Sequence, residues 1–279
     1  MPPVPHVPHP YLADTARPRV IAHRGWVSDE LAVSGIAENT RAAFTAALAA
    51  GASYLETDCH LTRDGEVVLA HDADLSRVTG DPRQISDVDR VELEALFADR
   101  GGLLTLHDAL VDFADARWNI DVKAAAVAAP LGRIVATHGH RVLVTSFADA
   151  YRRAALKAAA GERPAILPAT SPGKGSLIRL LVALARLSET AARRALAGFD
   201  AVQIPERQGR LRVLTPRLVR AAHANGVEVH VWTVNDSADM RRLAAMGVDG
   251  VITDRTDLAL ATLRDELGGE LSSGPGRER

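Results

Sequence analysis

Glu56 and Asp58 stand two residues apart in the stretch SYLETDCHL, and Asp121 and Lys123 repeat that spacing in WNIDVK. Side chains of an extended strand alternate between its faces, so Tyr54, Glu56, Asp58 and His60 share one face, as do Asp121 and Lys123. Two carboxylates held side by side repel each other unless a cation compensates, and oxygen ligands on a rigid strand suit a hard ion such as Mg2+ or Ca2+. For Glu56 and Asp58 taken alone, a solvated strand end paired with Arg or Lys is the simpler explanation. The second pair changes the weighting: Asp121 can complete a three-carboxylate metal site, and Lys123 beside it suits a substrate phosphate bridged to the same ion.

Two other apolar runs end on imidazoles. VIAHRG places His23 and Arg24 directly after a β-branched run, and GEVVLAHDADL ends on His71 and Asp72. One histidine after a strand is ordinarily a satisfied surface or core residue. Two of them, with the acidic cluster between, match the division of labour in phosphodiester cleavage, where one imidazole takes a proton from the attacking oxygen and the other gives one to the leaving oxygen. Arg24 adds a planar guanidinium suited to gripping an anion. Cys59 points away from Glu56 and Asp58 and reads as a buried thiol rather than a nucleophile. His60 shares the ligand face, either supporting the ligands or lying exposed on a hairpin, and Asp254 reads as an anchor for the last loop.

Something must hold these residues together. Eight β-branched runs, RVIAHR, SYLETDC, WNIDVK, RVLVTSF, PAILPA, DAVQIP, EVHVWTV and DGVITD, alternate with Ala- and Leu-rich helical patterns. Thr105 to Asp108 forms a capping box, and a helix opens with Thr215 as N-cap and Pro216 in its first turn and stops at Gly226. This alternation predicts a TIM-type (β/α)8 barrel, although an open doubly wound sheet shares much of the pattern. In a barrel the C-terminal strand ends form the active-site face, which is where His23, Glu56, Asp58, Asp121 and Lys123 fall. An insertion at about 60–102 follows the second strand, beginning as a hairpin that turns at Asp64 and Gly65.

At 279 residues the chain suits one barrel domain, expected over 19–266, with a flexible Pro-rich leader at 1–18 and a disordered tail at 267–279. Thirty-three Lys and Arg against 35 Asp and Glu leave a net charge of -2, which gives no global field for nucleic acid or an anionic membrane, so anion binding must be local. A single cysteine and the lack of an apolar secretory or membrane-spanning run point to a cytoplasmic protein, at most peripheral to a membrane.

The motifs AHRG, ENT, ETD, HDADLSRVTG, WNIDVK, WTVN and GVDGVITD, in this order, resemble the glycerophosphodiester phosphodiesterase family from about Arg19 to Leu260. The resemblance implies a TIM-type barrel, one divalent cation, and hydrolysis of glycerophosphodiesters to sn-glycerol 3-phosphate and an alcohol, in which the glycerol 2-hydroxyl attacks phosphorus and a cyclic phosphate is then opened by water. It makes Glu56, Asp58 and Asp121 the metal ligands, His23 and His71 the acid–base pair, and Arg24 and Lys123 the phosphate clamps. Glu38 and Asn39 complete the pocket near the metal, and Trp232 walls the glycerol or headgroup. Asp121 stands where the family usually has Glu. That substitution also occurs among sphingomyelinase D-like phospholipases, so a phospholipase of that kind or a lysophospholipase D is the alternative, and a non-catalytic phosphoester-binding barrel is the alternative of a different class.

The segment 171–198 is longer than an outer barrel helix requires. Arg179, Arg186 and Arg193 form a basic stripe, and Leu177, Ile178, Leu180, Leu181, Val182, Leu184 and Leu187 cover much of the remaining circumference. Either a second helix from about Glu189 folds back over the surplus, or residues 175–197 offer an apolar surface to a lipid or membrane, with Leu180 and Leu184 facing it.

Overall fold

The β-branched runs close into a nearly complete barrel of eight parallel strands in a computed structural model, which describes residues 8–13 and 15–269. The strands are β1 (Arg19–His23), β2 (Tyr54–Leu61), β3 (Val67–Leu69), β4 (Arg117–Val122), β5 (Val142–Thr145), β6 (Ala169–Thr170), β7 (Ala201–Pro205), β8 (Arg207–Gln208), β9 (Leu211–Arg212), β10 (Glu228–Trp232) and β11 (Gly250–Thr253). Parallel ladders run in the order β6-β5-β4-β2-β1-β11-β10-β7. Asp200 N donates to Thr170 O at 2.9 Å and Gln203 N to Ser171 Oγ at 3.1 Å across the remaining seam. β3 pairs antiparallel with the end of β2, and β8 and β9 form a small separate hairpin.

The helices are α1 (Asp29–Val33), α2 (Arg41–Ala49), α3 (Ser76–Thr79), α4 (Arg90–Phe97), α5 (Leu106–Asp112), α6 (Ala125–Val135), α7 (Asp149–Gly161), α8 (Lys174–Ala185), α9 (Glu189–Leu196), α10 (Pro216–His223), α11 (Ser237–Ala245) and α12 (Thr256–Gly269). Outward strand residues pack beneath them: Leu55, Cys59, Ile120 and Val122 meet Phe44 of α2 and Leu131 of α6, while Val202, Val229 and Val251 meet Leu180, Leu218 and Met240. The caps form where expected, with Thr105 Oγ1 accepting from Asp108 N at 3.0 Å and Thr215 Oγ1 from Leu218 N at 3.2 Å. The insertion holds α3 and α4 around a small core of its own, made of Val68, Leu75, Ile85, Val88, Leu93 and Phe97.

Two expectations need correction, and one pair of alternatives is decided. PAILPA is not a strand: β6 spans only Ala169–Thr170, because Pro164 and Pro168 have no amide hydrogen for a ladder and Ile166 and Leu167 remain exposed. The leader, as far as it is described, is packed rather than flexible. Tyr11 and Leu12 are buried against Ile21, Tyr54 and Ile252 and cover the N-terminal end of the barrel; residues 1–7, 14 and 270–279 lie outside the described residues. In the long segment α9 does fold back, so Leu180 and Leu184 lie in the core against Ala192 and Leu196 and do not face a lipid. The rest of that apolar circumference is divided: Leu177 and Leu181 are half-buried, and Ile178 and Val182 are exposed. No helix among the described residues is long and apolar enough to cross a membrane.

Candidate active site

β1 delivers His23 and Arg24 to the C-terminal rim, where the chain turns sharply. Arg24 and Gly25 have φ values of 61° and 88°, and Arg24 N donates to Glu56 O at 3.0 Å. A Cβ on Gly25 would lie 2.7 Å from the Ala43 carbonyl carbon, so only glycine lets this loop pass so close to α2. Asn39, itself at φ 58°, donates its amide to Arg24 O at 2.9 Å, which makes HRG and ENT two sides of one turn. Thr40 then caps α2.

The ladders align the charged residues. His23 is level with Glu56, and Asp58 with Asp121. Lys123 Nζ lies 2.7 Å from Asp58 Oδ1 and 2.8 Å from Asp121 Oδ2, and Arg24 Nε lies 3.2 Å from Asp58 Oδ2. Burial, reinforced by the charge of Asp58, pushes the Glu56 carboxyl well above the ordinary carboxylate value, and burial also raises that of Asp121. Burial lowers Lys123, but Asp121 and Asp58 outweigh it and hold the ammonium above its usual value. These carboxylates are turned onto the two cationic side chains, and among the described residues no group of three His, Cys, Asp or Glu is arranged to hold a metal ion. The donor set itself suits a hard divalent cation: Asp121 Oδ1 is buried without a hydrogen-bond partner, and Asp58 Oδ2 has only the poorly aligned Arg24 Nε.

Each histidine is held by a carboxylate. His23 Nδ1 is 2.6 Å from Asp254 Oδ1, and Asn235 Nδ2 donates to Asp254 Oδ2 at 2.8 Å. His71 Nδ1 is 2.7 Å from Asp72 Oδ1, and Arg77 Nε donates to Asp72 Oδ2 at 2.5 Å. Burial raises both aspartates, yet these hydrogen bonds outweigh it and hold each below the usual carboxylate value. Asp254 therefore does more than anchor a loop. His60 is buried, hydrogen-bonded to His71 O at 3.1 Å, and lowered by burial, which places it in support of the His71 turn.

These residues border a cavity of about 520 Å³. His23, Arg24, Glu56, Asp58, His71, Asp121 and Lys123 form its charged floor, together with Asn119, which shares the face of Asp121 through period-two spacing on β4. Trp232, at the end of β10, lies on the other side with Phe147, their rings 5.8 Å apart. Glu38 and Asn39 are brought near but do not line this cavity, contrary to expectation. Glu38 Oε1 accepts from Arg24 Nη1 at 2.9 Å and from Arg77 Nη2 at 2.7 Å, and Asn39 Oδ1 accepts from Thr57 at 2.7 Å. Their side chains are drawn to the arginines and to β2, so they brace the HRG turn.

The sequence matches the glycerophosphoryl diester phosphodiesterase family over residues 23–258. It is 37% identical over 250 residues to a probable glycerophosphodiester phosphodiesterase of Mycobacterium tuberculosis, covering 88% of this chain and 89% of that protein. The crystal structure of a glycerophosphodiester phosphodiesterase from Thermotoga maritima superposes with a TM-score of 0.66 at 25% identity, covering 89% of this chain and 99% of that one. A lysophospholipase D of Rattus norvegicus is 45% identical over only 75 residues, 27% of this chain and 22% of its own. Because the match runs from His23 through the whole charged floor to the end of the last barrel strand, the chain belongs to the glycerophosphoryl diester phosphodiesterase family and is a phosphoric diester hydrolase.

Proposed function

We propose that the enzyme hydrolyses glycerophosphodiesters to sn-glycerol 3-phosphate and an alcohol, with His23 and His71 as the acid–base pair. The observation that carries this reading is that both imidazoles border one cavity while each is tied through Nδ1 to a carboxylate. A carboxylate can only accept, so Nδ1 carries the proton and Nε2 is the basic nitrogen of each neutral ring. One ring in that state takes a proton from the attacking oxygen, and the other, protonated, gives one to the leaving oxygen. Arg24 and Lys123 bind the phosphate, Trp232 walls the glycerol or headgroup, and Glu38 and Asn39 keep the Arg24 turn in place. Glu56, Asp58 and Asp121 are the residues to hold one divalent cation, Mg2+ or Ca2+, which when bound supplies charge stabilisation at the phosphoryl oxygens.

The test is release of sn-glycerol 3-phosphate from glycerophosphocholine by the full-length chain, its loss with chelator, and its recovery with Mg2+ or Ca2+. Absence of release under all three conditions rejects the reading in favour of a phosphoester-binding barrel. We further propose a cytoplasmic protein, a reading supported by its single buried, unpaired cysteine. Cleavage of lipid phosphodiesters is the second reading, favoured by the apolar side of the cavity.

A further inference from the structure

Gln203 borders the cavity from β7, which pairs with β10 so that Gln203 is level with His230 and Pro205 with Trp232. Its side chain is held by a buried partner. Gln203 Nε2 lies 3.2 Å from His230 Nδ1, and His230 Nε2 lies 3.1 Å from Glu228 Oε2. The ring is fully buried, and Gly250 leaves room for it, because a Cβ there would lie 2.9 Å from His230 Cδ2. A carboxylate only accepts, so in the neutral ring Nε2 carries the proton to Glu228 and Nδ1 is left as an acceptor. Gln203 must therefore donate through Nε2, which leaves Oε1 as the free end of the amide; among the described residues none donates to it. A second uncharged acceptor borders the same cavity, since Asn119 Oδ1 on β4 is buried without a hydrogen-bond partner. A phosphodiester anion and a trimethylammonium group have no N–H or O–H to give such acceptors, whereas a hydroxyl does.

We infer that Gln203 is a specificity residue whose Oε1, kept toward the cavity by His230, accepts a hydrogen bond from a carbon-bound hydroxyl of the substrate, on the glycerol or on the departing alcohol. This inference rests on the reading of the charged floor as the phosphodiester site. His230 is then a positioning residue: it touches no substrate, and it decides which end of the Gln203 amide the cavity meets. The hydroxyl is bound before the reaction and is not consumed by it, so the contribution of Gln203 falls on KM and leaves kcat nearly unchanged.

The test uses the full-length chain with its divalent cation and two substrates: glycerophosphocholine, with hydroxyls on the glycerol alone, and glycerophosphoglycerol, with hydroxyls on both sides of the phosphate. Gln203→Met, of similar volume, is expected to raise KM about three- to tenfold. A rise with both substrates places the hydroxyl on the glycerol, and a rise with glycerophosphoglycerol alone places it on the departing alcohol. Inhibition by dimethyl phosphate, a diester without a hydroxyl, should stay at its native strength; a parallel loss overturns the inference, because the phosphate site itself would then be disturbed. Unchanged KM for both substrates also overturns it and leaves the diesterase reading standing. His230→Phe should raise KM in the native chain and add nothing in the Gln203→Met background; a rise that persists there ends the positioning role of His230. If the native chain cleaves neither substrate, the diesterase reading fails, and calorimetric titration with glycerophosphoglycerol decides Gln203 by itself: weaker binding in Gln203→Met supports the acceptor, and equal binding rejects it.

Discussion

The barrel buries a cluster of charge at each end, and the two clusters differ in balance and in cover. At the N-terminal end, Glu228 Oε1 lies 2.9 Å from Arg17 and 3.0 Å from Arg19, Arg17 also reaches Asp249 at 3.4 Å, and Arg19 donates to Tyr54 OH at 3.1 Å and to Leu12 O. Two carboxylates meet two guanidinium groups, and Tyr11 and Leu12 cover the buried Arg19 while Arg17 stays half exposed at the edge. At the C-terminal end Glu56, Asp58 and Asp121 share Arg24 and Lys123, and the cluster opens onto the cavity. Acidic and basic residues clustered at a strand end therefore do not identify a site. Excess negative charge facing a cavity does, because it calls for a further cation and leaves room for it.

The comparison is broken most severely by removing a histidine. His23→Ala or His71→Ala is expected to lower kcat about 10²- to 10⁴-fold while the melting curve stays near native; near-native turnover in either variant ends its acid–base assignment. At the opposite end, Glu228→Gln removes the charge that Arg17 and Arg19 share, and breaking a buried pair in this way costs about 3–5 kcal/mol. Urea denaturation should show that loss, with kcat of the remaining folded enzyme little changed at low temperature. If kcat fell instead and stability held, the N-terminal cluster would be functional and the contrast would disappear.

A smaller effect is expected from Asp254→Asn, which keeps the shape but weakens the hold on His23 Nδ1. About tenfold in kcat should be lost, with KM and melting temperature nearly unchanged. A loss confined to stability would return Asp254 to loop anchoring. The smallest change in stability is expected from Glu56→Gln, measured by thermal melting in chelator. The folded-state pKa of Glu56 is raised, so ionising it disfavours the fold as pH climbs from the unfolded carboxylate value towards neutrality. Gln removes that charge, so the melting temperature at pH 7 should rise by a few degrees even as phosphodiesterase activity is lost. A lower melting temperature would show that Arg24 and Lys123 already balance the cluster.

Much of the charged floor was legible in the chain because it depends on local geometry. Period-two alternation set Glu56 with Asp58 and Asp121 with Lys123, and the ends of apolar runs marked His23 and His71. The support around them was less legible. Asp72 follows His71 directly, but its second contact comes from Arg77 on α3, and Asn119, uncharged, carries no signal of its place on the cavity floor beyond its spacing from Asp121. PAILPA was misread because a β-branched residue between prolines carries strand composition without the amide hydrogens that pairing requires.

What the sequence by itself determined was the alternation of strand and helix, the caps, and the face on which each strand residue points, since these follow from neighbours a few positions apart. Only the tertiary structure decided that Asp254, 231 residues along the chain, meets His23, and that Glu38 is drawn to Arg24 and Arg77 rather than into the cavity. It also decided how α8 is turned. With an apolar residue at nearly every position from Leu177 to Leu184, the sequence left the rotation of that helix open; the return of α9 buries Leu180 and Leu184, and Leu177, Ile178 and Leu181 are left to face the cavity.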